Sequence, residues 1–211
     1  MKRRIILTLS LLVSMMVLLS HTYYKEPKRL ENEVETEIGA DESIVNAKIG
    51  STDEETLYNY INCVPEDVIT LLQNNGWGYV IYSEDQMKEL GETYGYKQKI
   101  IGLSVYDSHL IYVSNMRIDT VIHEIWHAVD SILEFPSQSD EALSIFSEEK
   151  KTFLKTFPNV TYDNSSNPTE YYAEAFQEYV LDKGSLKEQC PKTYELIEES
   201  VKKCTNLVKP D

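Results

Sequence analysis

The stretch 121–130, Val-Ile-His-Glu-Ile-Trp-His-Ala-Val-Asp, constrains this chain more than any other. Its apolar residues recur at helical spacing. A helix here sets His123 and His127, four positions apart, about 40° from each other on one face. Imidazoles so placed can clasp one metal ion, and Glu124 falls between them, within reach of a water at that metal. Two histidines and a glutamate on an otherwise apolar helix are costly to bury without partners. The competing reading is a core helix whose histidines only form hydrogen bonds. The spacing is that of metal-assisted hydrolysis, with zinc as the expected ion and Glu124 as the expected general base.

Two histidines do not complete such a site, because a third protein ligand is needed. The extended three-histidine pattern would want glycine at 130 and histidine at 133, where the chain has Asp130 and Leu133. The third ligand therefore comes from another segment, and 168–181 reads as a helix able to supply it. Within Glu170-Tyr171-Tyr172-Ala173-Glu174-Ala175-Phe176, the two glutamates are four apart and share a face. One can ligate while the other supports a ligand from behind, and the residues alone leave Glu170 and Glu174 equal candidates. Asp130, about a turn beyond His127, is expected either to orient a ligand or to serve as a capping carboxylate.

These two segments together resemble the anthrax-lethal-factor-like zinc peptidases, a group that includes small secreted Pro-Pro endopeptidases of Gram-positive bacteria. The likeness rests on His-Glu-x-x-His-Ala-x-Asp at 123–130 and on Glu-Tyr-Tyr-Ala-Glu-Ala-Phe at 170–176. Pro191-Lys192-Thr193-Tyr194 resembles the start of the family's C-terminal helix. The resemblance implies an α+β, mostly helical zincin-like domain with a small β-sheet. It implies Zn2+ held by His123, His127 and Glu170, with Glu174 behind a ligand and Glu124 as the base. It also implies a protein or peptide substrate bound in extended form. One departure stands out. The family places an oxyanion-holding tyrosine seven residues before the third ligand, where this chain has Asp163. Tyr162 is one step further, and a loop longer by one residue would carry it to that place. The alternative drawn from the departure is an exported zinc-binding surface or interaction protein whose peptidase site no longer cleaves.

The chain before the site divides by composition. Lys2-Arg3-Arg4 precedes an apolar run over 5–19, the pattern of a signal peptide or N-terminal membrane anchor over 1–20. No cysteine follows it, which excludes a lipoprotein. Residues 21–50 are polar and acidic and read as a linker or arm. The peptidase-like domain is expected over 51–211, on the secreted or cell-surface side. A formal net charge of −15 argues against nucleic acid as a partner. Cys63, Cys190 and Cys204 make no disulfide framework; 190 and 204 could pair across a helix, and the odd count makes free thiols an equal alternative.

Inside that domain, Leu57, Tyr60, Ile61 and Val64 predict one helix, and Pro65 opens a second that Gly76 ends. Residues 77–82 predict a strand, and Ser83 to Gln86 a capping box. Residues 99–106 and 109–114 predict a hairpin about Asp107-Ser108, with His109 as a surface residue. A strand beside the metal helix offers a free edge on which an extended peptide can lie. Residues 139–154 predict a helix turning Leu143, Phe146 and Leu154 inward. Gly184 is expected to end the ligand helix, and 191–207 to close the domain through Tyr194, Ile197, Val201 and Cys204.

Overall fold

The computed structural model describes residues 51–160, 165 and 167–209. The expected signal or anchor, the acidic arm and Tyr162 lie outside them. Helix α1 (Ser51–Ile61) buries Leu57 and Ile61, and α2 (Glu66–Asn74) buries Val68, Leu71 and Leu72. Pro65 separates them, since its fixed φ suits the entry to a helix and its missing N–H costs nothing there. Gly76, at φ +74°, donates its N–H to the Gln73 carbonyl while the Trp77 N–H reaches the Leu72 carbonyl. That left-handed stop is the one a residue with a Cβ resists.

Strand β1 (Gly78–Tyr82) leads into α3 (Glu84–Thr93) through the predicted capping box, in which the Ser83 and Gln86 side chains each accept the other's N–H. Strands β2 (Gly102–Val105) and β3 (Leu110–Ser114) form the predicted antiparallel hairpin, and β1 pairs parallel to β3, giving the order β1-β3-β2. Joining two parallel strands requires a crossover, and α3 lies on it. Ile81, Ile111 and Val113 point to the core. His109 is exposed at the turn, as expected, with φ +52° and its ring stacked on Trp77.

A 3₁₀ turn (Ile118–Thr120) leads into α4 (Val121–Ile132), the predicted metal helix, in which every residue from Glu124 to Asp130 is buried. It packs between the sheet and α6 (Pro168–Leu181), with Trp126 against Phe176 at 5.2 Å between ring centroids. Helices α5 (Asp140–Thr156), α7 (Lys183–Gln189) and α8 (Pro191–Val208) complete the helical side. Among the described residues, no helix is long and apolar enough to cross a membrane.

Two local expectations change, the inward face of α5 and the place of Gly184. Helix α5 turns Ala142, Ile145, Glu149 and Phe153 inward, while Leu143 is 45% exposed and Phe146 and Leu154 are only partly buried. The inward face is organised by the Glu149 carboxylate, which accepts from Lys192 N at 3.1 Å, Thr193 N at 2.9 Å and Thr193 Oγ1 at 2.7 Å. It thereby caps α8, whose own N-cap residue Cys190 makes no side-chain bond. Helix α6 stops at Leu181, and Asp182 caps α7, so Gly184 falls inside α7. Cys190 and Cys204 are buried free thiols.

Replacing Glu149 with Ala strips three donors of a charged acceptor and should lower stability by about 2–3 kcal/mol. Urea unfolding of the two proteins measures this, and a difference below about 0.5 kcal/mol would contradict the capping role.

Candidate metal centre

The site is built by two helices and one strand. Asn167 caps α6, its Oδ1 accepting from Glu170 N at 3.1 Å, and Pro168 occupies the first turn. That start fixes Glu170 at the N-terminal end of α6, with Glu174 one turn further on the same face. Both face the imidazoles of α4.

His123 Nε2 and His127 Nε2 are 3.1 Å apart. Glu170 Oε2 is 3.3 Å from the first and Glu170 Oε1 is 3.7 Å from the second. Donors about 2.0–2.1 Å from a tetrahedral zinc lie about 3.3–3.4 Å from one another. The two contacts to Glu170 use different oxygens, and one donor atom from each of the three residues lies within 4.8 Å of the others, a grouping that a small closure brings to that length. Two imidazoles and a carboxylate, with one tetrahedral position left over, are also the donor set of a hydrolytic zinc. Among the described residues His123, His127 and Glu170 are a group able to hold a metal. Glu174 faces the other ring nitrogen, with Oε1 3.5 Å from His123 Nδ1. A carboxylate there fixes the tautomer that presents Nε2.

Glu124 is 6% exposed, and its Oε2 lies 3.0 Å from Ser104 Oγ on β2. Burial pushes the Glu124 carboxyl up to about 7, against the pull of the His123 charge and the Ser104 bond. Without a metal, burial opposes a charge on His123, but hydrogen bonds to Glu170 and Glu174 outweigh it and raise its pKa to about 10. Burial, then the positive His123, lowers His127 to about 4. For Glu170, burial acts upward, yet the hydrogen bond from His123 and its charge leave it below the usual carboxylate value. The metal-free cluster is therefore a carboxylate-flanked His123 cation beside a neutral His127.

Strand β2 is a sheet edge, and residues 98–104 form one wall of a cleft whose floor is His123, Glu124 and His127. The α6 glutamates form the facing wall. Asp130 does not reach the imidazoles. Its carboxylate accepts from Ser137 N at 3.0 Å and Ser137 Oγ at 2.6 Å, closing the turn after α4. Sequence reasoning did not single out Ser104, nor Gly102 before it. The available signal was two small residues, two apart, in an otherwise bulky strand next to the metal helix.

The family model described as "Anthrax toxin lethal factor, N- and C-terminal domain" matches residues 81–200. Among solved structures, the Pro-Pro endopeptidase of Paenibacillus alvei aligns with a TM-score of 0.56 and 22% identity, covering 72% of this chain and 93% of that one. At that identity the likeness is one of fold, and the fold is the α+β, mostly helical zincin-like one. No curated protein matches the chain by sequence.

A metal needs bare nitrogens, and His123 holds a proton below about pH 10 in the metal-free protein. At pH 8.5, above Glu124 and below His123, zinc uptake should release about one proton from His123, and affinity should rise with pH. Calorimetric titration in buffers of different ionisation heat measures the release, and none at all would contradict this charge state.

Proposed function

This chain belongs to the anthrax toxin lethal factor family, and on that footing we propose that it is an exported zinc-dependent endopeptidase. The observation that carries the reading is the grouping of His123, His127 and Glu170, whose donor atoms lie within 4.8 Å of one another, with a buried carboxylate, Glu124, beside them. A scaffold that only bound metal would not require Glu124 at that place. Export rests on the basic start and the apolar run over 5–19. The peptide substrate is supported by the family, and an extended pose by the edge of β2 along the cleft, which no strand covers among the described residues.

His123, His127 and Glu170 would hold the ion, and Glu174 keeps His123 turned so that Nε2 faces it. Bound there, zinc supplies Lewis acidity, making a water more acidic and polarising the scissile carbonyl. Glu124 accepts the proton of the attacking water on its carboxylate and returns it to the departing amine nitrogen. The edge of β2 presents main-chain donors and acceptors that align the peptide across the floor of the cleft. Tyr162 is proposed to steady the oxygen on which charge develops.

Glu124→Ala should keep one zinc per chain and lose cleavage by about 10²–10⁴-fold. His127→Ala and Glu170→Ala should lose the metal itself. A peptide-library digest with zinc and with chelator, beside metal analysis of each variant, checks all three. Full zinc occupancy in Glu170→Ala would reject that ligand in favour of Glu174. Zinc content without cleavage of any peptide would favour the non-cleaving surface protein.

A further inference from the structure

We propose that Gly102 and Ser104 of β2 are positioning residues that hold the Glu124 carboxylate in its working place. The inference rests on Glu124 being the base. Side chains alternate along a strand, so positions 102 and 104 share the face that packs on α4. At 104, Oγ lies 2.8 Å from the main-chain oxygen of Glu124 and 3.0 Å from its Oε2. The single hydroxyl proton is shared between two acceptors, the rigid helix backbone and the mobile carboxylate, so one three-centre bond ties the second to the first. Ser104 is 8% exposed, so water does not compete freely for that bond.

Gly102 acts through space. A Cβ built on it would lie 2.8 Å from both Cγ and Cδ of Glu124, closer than real carbon contacts allow. No left-handed backbone is involved, since Gly102 is not among the residues with positive φ. The glycine is there because the carboxylate lies against the bare strand backbone. The two positions thus bound Glu124 by complementary means, one with a bond and the other with a missing side chain. A carboxylate four bonds from the main chain has several rotamers, and only a fixed one keeps general-base geometry.

A purely structural role for Ser104, tying β2 to α4, predicts a different result from a positioning role. Positioning predicts that Ser104→Ala lowers kcat by about 10–100-fold while KM and zinc content stay as in the parent. Ser104→Thr, which keeps the hydroxyl, should recover most of the loss. Gly102→Ala should approach Glu124→Ala in kcat while still holding zinc. Crystals of zinc-loaded Ser104→Ala should show the Glu124 carboxylate moved from its place against residue 102. A parent-like kcat in Ser104→Ala, or a loss matched by lost zinc, would overturn the proposal. If the parent itself cleaves no peptide, the endopeptidase reading fails separately, and the Glu124 position in the Ser104→Ala crystals still decides this one.

Discussion

Everything in this domain is arranged around the burial of a charged stretch inside α4. His123, Glu124 and His127 lie in a helix that is otherwise apolar and almost wholly enclosed. Left alone, such groups would oppose folding, since an unpartnered buried charge costs more than the neighbouring apolar contacts return. The fold answers from two sides. Helix α6 brings Glu170 and Glu174 against the imidazoles, and β2 brings Ser104 against the carboxylate. The packing of α4 between sheet and helix is therefore inseparable from the chemistry.

The same constraint explains why the surrounding structure is so firmly tied. Asn167 and Pro168 fix where α6 begins, and so where Glu170 stands relative to His127. Trp126 and Phe176, buried where α4 and α6 face one another, set the helix spacing by ring contact. Glu149 caps α8, and the Tyr171 hydroxyl meets Thr193 at the same place, at 2.7 Å. Thus α8 is bonded to the helix that carries the third carboxylate. Positions far from the cleft act on it through this chain of packing and capping.

Much of this was legible in the residues. Helical spacing located α4 and α6, and the turn residues Ser83 and Asp107 located the start and the turn they cap or close. What was not legible depends on partners distant in sequence. Glu149 reads as a surface charge until α8 is seen above it, and so the inward face of α5 was assigned to Leu143. Asp130 had two expected roles, and its bonds to Ser137 match the capping one. The residues alone left Glu170 and Glu174 equal, because spacing gives a shared face and not a distance to an imidazole. Gly102 and Ser104 show in the sequence only as two small residues in a bulky strand, since nothing local says what a small strand residue makes room for.

The central claim is that three side chains from two helices meet at one metal ion. Its most direct test is a crystal of the zinc-loaded protein measured on both sides of the zinc absorption edge. The account predicts one anomalous peak, bonded to Nε2 of His123, Nε2 of His127 and a Glu170 oxygen at about 2.0–2.2 Å, with Glu174 on His123 Nδ1 and off the ion. A peak elsewhere, or one that Glu170 does not touch, would contradict it.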